Sequence, residues 1–326
     1  MISIVVPIYN EEAIIPLFHA AVVDAMARSD EDWEIVYVND GSTDSSLELL
    51  QAVQNQHPHV TIVDLSRNWG HMGALSAGLR TAKGDAVVLM DGDFQDPPEV
   101  VPQLLAAWQR GAQVVTAVRR SREEHRRLLA ILFPLFYRVL GALSDYPIPL
   151  NAGIFGLLDR QVVDSINALQ EGNRYFPGLR AWVGYRTCIV YYDRQDRLGG
   201  EGKLTFLSRI KYAMDAIASF SYKPLRMSFA LAGLALVTSV VLAIAAEISA
   251  GPVNPVECGI SAAVFLVGAL LLLCLGVLGE YVSRVYDEVR RRPLSIINKV
   301  YHSAVPATGR VLASSQQDLE RIFPAA

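Results

Sequence analysis

Short apolar runs alternate with longer amphipathic segments along the first 120 residues. Five runs rich in Val and Ile have the length of strands, and the four segments that separate them are predicted to be helices. The predicted strands are residues 2–7, 33–39, 60–65, 85–90 and 113–118, and the predicted helices are residues 13–26, 45–55, 72–81 and 98–110. This alternation predicts an α/β fold with a doubly wound, mostly parallel sheet.

Polar residues follow each of the first four predicted strands, at 9–12, 39–44, 66–70 and 91–96. Each cluster alone is also compatible with ordinary turns and helix caps. Such sheets bind ligands at the carboxyl ends of their strands, so four clusters at one edge favour a binding site. No G-x-G-x-x-G motif follows the first strand and no P-loop motif is present, so a dinucleotide site of that kind is not supported.

Two uncharged stretches lie near the C-terminus, at residues 227–246 and 259–279. A helix of either length would cross roughly 30 Å, the thickness of a bilayer core. A pair of buried core helices is the alternative, although core helices are rarely uncharged on every face. Lys and Arg lie outside the two stretches and none lies in the link between them, so both outer flanks are expected in the cytoplasm.

These stretches divide the chain into four predicted parts. Residues 1–203 form a cytoplasmic domain, and residues 204–225 form a juxtamembrane amphipathic segment that lies either on the membrane or in the domain. Residues 226–280 hold two transmembrane helices, and residues 281–326 form a cytoplasmic tail. The protein is therefore expected in the inner (plasma) membrane as a multi-pass protein. Small residues in the second stretch, among them Gly268 and Gly276, would permit homo-oligomers through the membrane helices.

Composition narrows the class of protein further. Apolar residues make up 52% of the chain, which excludes disorder, and charged residues only 19%, which fits the membrane stretches. The net charge of −4 argues against nucleic acid as a partner. The three cysteines form no C-x-x-C pair, so a disulfide scaffold or a zinc site is not expected.

The D-x-D sequence of Asp91 and Asp93 is the clearest chemical signal. Two carboxylates at the exit of a buried strand converge on one point if the chain turns there, and Gly92 is predicted to allow that turn. Oxygen ligands of this kind suit Mg²⁺ or Mn²⁺, which would neutralise a leaving diphosphate as a Lewis acid. Asp40 would accept hydrogen bonds from a base or ribose, or would simply belong to a helix N-terminal turn.

Four segments together resemble a known family: P-I-Y-N-E-E at 7–12, V-N-D-G-S-T-D at 38–44, L-S-R-N-W-G at 65–70 and D-G-D-F-Q-D-P-P-E at 91–99. They are similar to family 2 glycosyltransferases of the GT-A fold. The closer resemblance is to polyprenyl-phosphate glycosyltransferases, such as bactoprenol glucosyltransferases and dolichol-phosphate mannose synthases. It implies inverting transfer of one sugar from a nucleotide-sugar to a polyprenyl phosphate. UDP-glucose and undecaprenyl phosphate are the expected substrates, and a GDP-mannose-using mannosyltransferase is an alternative.

The resemblance also suggests roles for individual residues. The predicted nucleotide-sugar ligands are Pro7, Tyr9, Asn10, Glu11, Asp40, Arg67, Asn68, Asp91 and Arg119. The predicted metal ligands are Asp91, Asp93 and Gln95, and the predicted catalytic residues are Asp93, Arg197 and Lys203. Arg197 and Lys203 lie in a segment like the family's R-x-x-G-x-S-K, with Gly202 in place of the Ser. The arginine-rich run at 119–127 is either a loop that attracts the lipid phosphate or a solvated loop.

One departure from the family pattern affects the chemistry. Relatives carry a T-G-D-F-R-L-like segment, whereas Ile154 and Gly156 stand here in place of its Asp and Arg. Asp159 is predicted to cap the following helix rather than to replace the lost carboxylate. A phosphate monoester is already mostly dianionic at pH 7, so a phosphate acceptor needs no general base. The alternative is a catalytically degenerate membrane scaffold of the same fold.

Three further residues are expected to be structural. His71 follows Gly70 and is expected in a surface turn, and Tyr191 and Tyr192 are expected to be core or edge residues of a strand. A processive polysaccharide synthase is disfavoured, because no Q-x-x-R-W segment and no additional membrane helices are present.

Overall fold

The computed structural model describes residues 1–120, 152–169, 171–172, 174–193, 232–238, 240–241, 244 and 255–302. Its strands are β1 (Ile2–Ile8), β2 (Trp33–Asn39), β3 (Val60–Leu65), β4 (Ala86–Leu89), β5 (Val114–Arg119), β6 (Ala152–Asp159), β7 (Thr187–Tyr192) and β8 (Ile297–His302). Its helices are α1 (Ile15–Ala27), α2 (Ser46–Gln56), α3 (His71–Thr81), α4 (Val101–Gln109), α5 (Arg160–Ala168), α6 (Phe176–Trp182) and α7 (Pro255–Arg290), with a 3₁₀ turn at Pro98–Val100.

The eight strands form one mixed sheet in the order β7-β5-β6-β4-β1-β2-β3-β8. The central strands β4, β1, β2 and β3 are parallel, and β5 pairs in parallel with β7. β6 runs antiparallel between β4 and β5, and β8 runs antiparallel at the edge beside β3. The sheet is therefore parallel at its centre, as predicted, while the antiparallel strands β6 and β8 were not predicted.

Helices cover both faces of this sheet, as a doubly wound fold requires. Helices α1, α2 and α4 pack on one face over residues such as Phe18, Leu50 and Leu104. Helices α3, α5 and α6 pack on the other face over residues such as Leu75 and Ile166. Because both faces are covered, the central strands are apolar at almost every position, which is the pattern that revealed them in the sequence. All five strands and four helices predicted there are confirmed to within a few residues.

Helix α7 is the one helix among the described residues that is long and apolar enough to cross a membrane. Its candidate span, Leu266–Arg290, is 25 residues long, and none of its most apolar window is buried in the protein. The predicted second span, 259–279, lies within α7. The predicted first span is described only at 232–238, 240–241 and 244, where 232–238 are helical, so a two-helix hairpin is not confirmed. The predicted juxtamembrane segment lies outside the described residues.

Strand β8 returns the chain from α7 to the sheet. Residues 297–302 had been assigned to the tail, but they pair with β3 and place Val300 opposite Val63. Two polar side chains secure this edge: Gln54 donates to the carbonyl of Tyr301 at 2.7 Å, and Asn298 donates to Asp64 at 2.8 Å. The apolar helix is thus joined to the N-terminal domain by a strand as well as by the preceding chain.

Asp64→Ala is expected to destabilise the fold by about 3 kcal/mol, because hydrogen bonds to a charged group contribute about 1.5–3 kcal/mol each. Asp64 is only 7% exposed and accepts from Asn39 at 2.7 Å as well as from Asn298. Thermal unfolding in detergent measures the effect. Asp24→Ala is the matched control, since Asp24 pairs with Arg28 on the surface and should contribute less than about 1 kcal/mol. Equal melting temperatures for the two variants would contradict the prediction.

Candidate functional site

The topology brings six strand ends to one edge of the sheet. β1, β2, β3 and β4 are parallel to one another. β6 is antiparallel to both β4 and β5, so β5 runs in the same direction as β4, and β7 runs parallel to β5. Their carboxyl ends therefore share the edge at which β6 begins. The four polar clusters predicted from the sequence follow β1 to β4 at this edge, and Arg119 and Tyr192 end β5 and β7 there.

The loops after β1 and β2 are tied to each other by hydrogen bonds. The Asn10 side chain accepts from the Thr43 amide at 2.8 Å, and the Asn10 amide donates to the Ser42 hydroxyl at 3.1 Å. The Glu11 amide donates to the Ser46 hydroxyl at 3.0 Å. Pro7 lies in β1 opposite Val38. These contacts hold the predicted ligands at 7–11 against the start of α2, and they give Asn10 a structural role that the sequence did not indicate.

Asp40 joins the loop after β2 to the loop after β3. One carboxylate oxygen accepts from the Trp69 amide at 2.7 Å, and burial raises the pKa of Asp40 while backbone hydrogen bonds from Trp69 and Gly70 oppose that shift. Arg67 is exposed and its guanidinium lies 4.0 Å from the centre of the Trp69 ring. The Asn68 side chain accepts from the Gly70 amide at 3.0 Å. Asp40 thus positions the loop that carries Arg67 and Asn68.

The loop after β4 carries the acidic pair. Asp93 is buried, and its carboxylate accepts from the Gln95 amide at 3.1 Å, which places these two predicted metal ligands side by side. Gly92 lies in the turn that follows β4, as predicted, while the residue with left-handed backbone is Phe94, with φ of +62°. Gly92 also lies against β1, where an added Cβ would stand 2.8 Å from the Ile8 side chain. Phe94 is held in its unusual conformation by edge-to-face packing on Phe18.

The electrostatics of this loop suit a divalent cation. Oδ1 of Asp91 accepts no hydrogen bond within the described part of the chain, and Nε2 of His71 stands 3.3 Å from it, so a bound cation would add compensation for this carboxylate. Asp96 is 2% exposed, and burial together with the nearby charge of Asp91 raises its pKa well above the ordinary value. Excess negative charge from oxygen donors is the arrangement that Mg²⁺ or Mn²⁺ prefers. The residues present therefore fit the ion that the sequence predicts.

His71 belongs to this site, contrary to the expectation that it lies in a surface turn. It is the first residue of α3, and its Nε2 atom stands 3.3 Å from the Asp91 carboxylate. The N-terminus of a helix favours anions, so the α3 backbone presents positive potential beside the acidic pair. The sequence signal was its place directly after Gly70, at the end of a loop already assigned to the site.

Tyr192 links two charged residues of the site. Its hydroxyl donates to Asp96 at 2.7 Å and accepts from Arg119 at 3.1 Å, while its ring packs on Phe155. The expectation that Tyr192 is a core residue is confirmed for the ring, but its hydroxyl has a second role. Arg119 is thereby held at the edge where the acidic loop lies. Sequence reasoning missed the roles of Tyr192 and Asp96 because these contacts are distant in the chain. Tyr192 is 73 residues from Arg119 and 96 residues from Asp96.

The start of β6 carries the departure from the family pattern. Ile154 is partly exposed at the site edge. A Cβ at Gly156 would overlap the Val115 carbonyl oxygen and stand 2.9 Å from Arg180, so no larger side chain fits on this backbone. The buried Arg180 donates to the carbonyls of Gly153, Ile154 and Phe155 and holds this segment in place. Asp159 caps α5 by accepting from the Gln161 amide, as predicted.

The two predicted phosphate-binding residues, Arg197 and Lys203, lie outside the described residues, as does the arginine-rich run beyond Arg120. The described part of the site brings together the other predicted ligands at one edge. These residues include carboxylates of the kind that suit a divalent cation, a buried Asp beside a turn, and a helix N-terminus that favours an anion.

Comparisons with known proteins agree with this chemistry. The family model described as Glycosyl transferase family 2 matches residues 3–166. The uncharacterized glycosyltransferase YkcC of Bacillus subtilis (strain 168) is 38% identical over 306 residues, covering 92% of this chain and 94% of that protein. The SfII prophage-derived bactoprenol glucosyl transferase of Shigella flexneri is 37% identical over 302 residues, covering 91% of this chain and 97% of that protein.

A solved structure is also similar to part of the chain. S. aureus TarS 1-349 in complex with UDP-GlcNAc matches with a TM-score of 0.44 and 17% identity, covering 67% of this chain and 65% of that one. The sequence matches are the stronger finding, because they extend over more than nine-tenths of the chain at more than 35% identity. The chain therefore belongs to glycosyl transferase family 2 and is a glycosyltransferase.

Proposed function

We propose that the protein transfers a single hexose from a UDP-sugar, UDP-glucose first, to undecaprenyl phosphate at the cytoplasmic face of the membrane, with inversion at the sugar carbon. The observation that carries the proposal is the attachment of an apolar helix to the edge of the catalytic sheet, through β8 beside β3. In this proposal α7 lies in the membrane and keeps the site close to a lipid acceptor. The name of the Shigella flexneri relative, a bactoprenol glucosyl transferase, supports the same acceptor.

In this proposal the donor binds across the carboxyl edge. Asp40 and the loops at 7–11 and 66–70 hold the nucleoside, and the α3 N-terminus with His71 faces its phosphates. Asp91, Asp93 and Gln95 hold Mg²⁺ or Mn²⁺, which when bound neutralises charge on the leaving diphosphate. Tyr192 keeps Arg119 beside the acidic loop, where the guanidinium faces the same phosphates. Arg197 and Lys203, which lie outside the described residues, are proposed to bind phosphate as well.

The acceptor explains why Ile154 does not prevent the reaction. An oxygen of the lipid phosphate attacks the anomeric carbon, the new carbon–oxygen bond forms, and the bond to the nucleoside diphosphate breaks. That oxygen is already ionised near neutral pH, since the second pKa of a phosphate monoester is about 6. The residues must then position the acceptor and stabilise the leaving group, which are the larger effects in such transfers.

The membrane arrangement follows from the same proposal. Helix α7 and the predicted span at 227–246 anchor the protein twice, with both basic flanks and the catalytic domain in the cytoplasm. Small residues of α7, such as Gly268 and Gly276, allow the helices of two copies to approach closely.

The test offers the purified full-length protein undecaprenyl phosphate with UDP-glucose, UDP-N-acetylglucosamine and GDP-mannose together, and weighs the lipid product by mass spectrometry. The expected product carries one hexose, and separate incubations assign it to UDP-glucose. A product formed from GDP-mannose alone would replace the UDP-sugar proposal with the mannosyltransferase. No product from any donor would favour a scaffold that has lost its chemistry, for which Ile154 and Gly156 are the motivation.

A further inference from the structure

Three of the six histidines meet far from the acidic loop. His19 lies on α1, His57 caps the end of α2, and His59 comes directly before β3. One ring nitrogen from each lies within 4.8 Å of the other two. The ring centres of His19 and His57 are 4.5 Å apart, and those of His57 and His59 are 5.6 Å apart. Three separate elements therefore deliver imidazole nitrogen to one point.

Local sequence fixes the relative position of two of these rings. Pro58 stands between His57 and His59, and a residue before proline is confined to extended backbone. His57 has φ of −122° and ψ of 103° accordingly. The His59 carbonyl accepts from the Ile35 amide at 2.9 Å, which fixes His59 beside the start of β2. The H-P-H sequence thus sets two ligands in place before any ion binds.

Two of the rings are buried with unsatisfied nitrogen atoms. His19 is 2% exposed and His59 is 8% exposed. Among the residues that the structure describes, none forms a hydrogen bond with Nε2 of His19 or with either ring nitrogen of His59. An unsatisfied buried polar atom costs about 1–3 kcal/mol. A metal ion that takes one nitrogen from each ring would satisfy two of these atoms, Nε2 of His19 and one nitrogen of His59. Burial and the neighbouring histidines lower the pKa of both residues.

Tyr37 contacts the ring nitrogen of His19 that is not proposed to bind the ion. Its hydroxyl lies 3.1 Å from Nδ1 of His19, and the tyrosine is fully buried in β2. When Nδ1 carries the proton and donates to Tyr37, Nε2 presents its lone pair to the cluster. Metal-binding histidines commonly donate their other ring N–H to such a partner, which fixes the tautomer and the ring orientation.

We propose that His19, His57 and His59 bind a borderline divalent ion of the Zn²⁺ type, with Tyr37 as the positioning residue. Neutral imidazole suits Zn²⁺, whereas the oxygen donors of the acidic loop suit Mg²⁺ or Mn²⁺. Zinc lies about 2.0–2.1 Å from nitrogen, so ligand atoms that are up to 4.8 Å apart must move closer together on binding. His57 is partly exposed at the end of α2, so it is the ligand on the solvent side of the cluster. Water on the exposed side of His57 completes the tetrahedron.

This site is distinct from the acidic site in place as well as in chemistry. His59 packs on Trp33, the first residue of β2, while Asp40 follows the last residue of β2. Seven strand residues separate the two by about 20 Å. The ion would join α1, α2 and β3, and its expected effect is on stability rather than on the reaction.

Zinc binding by the tag-free, full-length protein tests the proposal, with a large excess of Mg²⁺ present to occupy the acidic loop. We expect one Zn²⁺ per chain by elemental analysis, a higher melting temperature with Zn²⁺, and visible Co²⁺ absorption of the tetrahedral type. His57→Ala should weaken Zn²⁺ binding more than 100-fold, and because His57 is partly exposed the variant should fold. Tyr37→Phe should weaken it about 10- to 100-fold, as loss of an orienting partner does.

His71→Ala is the matched control, because His71 is the histidine beside Asp91 and would report zinc held at the acidic loop. It should leave the Zn²⁺ affinity unchanged. The proposal is overturned if the protein binds no Zn²⁺ under these conditions, if His57→Ala and His59→Asn both retain wild-type affinity, or if His71→Ala abolishes binding. Retained affinity in His71→Ala together with loss in His57→Ala supports it.

Discussion

Asp91→Ala is expected to lower the rate of sugar transfer by about 10²–10³-fold, the range typical of losing one preorganised electrostatic group in an active site. Asp91 is partly exposed, and its carboxylate stands 3.3 Å from Nε2 of His71 at the edge that holds the other predicted ligands, so its charge is available to a group that binds there. Asp91→Asn should lower the rate of sugar transfer almost as much, because it removes the charge even though it keeps the shape of the side chain. Steady-state rates with UDP-glucose and undecaprenyl phosphate measure both variants.

The matched control for this loss is Asp24→Ala, which removes a carboxylate from an exposed pair with Arg28 on α1. It should keep the wild-type rate and melting temperature. Asp91→Ala should also keep the melting temperature, since it relieves repulsion with Asp96. A wild-type rate in Asp91→Ala would refute the proposed role of the acidic pair. Loss of rate with loss of folded protein would instead make Asp91 a structural residue.

The parts of the fold that the sequence predicted are those with local signals. Strands β1 to β5 are apolar at nearly every position because helices cover both faces, and turn residues bound each of them. Strands β6 and β8 lack such signals. β8 in particular has Asn298 and Lys299 in its sequence, and it becomes a strand because its neighbour β3 offers an unpaired edge. Long-range pairing of this kind is not encoded in the periodicity of the segment itself.

The same distinction explains the candidate site. Residues that follow strands, such as Asp40 and Asp91, were predicted because parallel topology collects strand ends at one edge. His71 and Tyr192 were missed because their roles depend on which side chains stand opposite them after folding. The His19 cluster was missed for a related reason. Its members lie at the other end of the strands, on three elements, and their spacing in the chain matches no metal-binding motif.

Gly41→Ala is expected to lower kcat/KM for the nucleotide-sugar by about 10²-fold, the effect of misplacing a binding group by about 1 Å. Gly41 has φ of +65°, and a Cβ there would overlap the Arg67 carbonyl carbon and stand 2.5 Å from the Asn68 amide nitrogen. Both contacts are with backbone, so the loop after β3 must move as a unit. Arg67, Asn68 and the Trp69 amide that binds Asp40 would move with it.

Two causes contribute to the effect of Gly41→Ala: the left-handed backbone and the displacement of the loop after β3. Strain in the backbone alone does not account for so large an effect, and Gly111→Ala separates the two causes. Gly111 lies in the loop between α4 and β5 and also has positive φ, +96°. A Cβ added there would come no closer than 3.9 Å to its nearest neighbour, the Arg186 side chain. Both variants should lose about 1–2 kcal/mol of stability from the backbone conformation. Only Gly41→Ala should also lose donor affinity, measured by titration with the UDP-sugar. Equal affinities in the two variants would mean that the loop after β3 does not hold the donor.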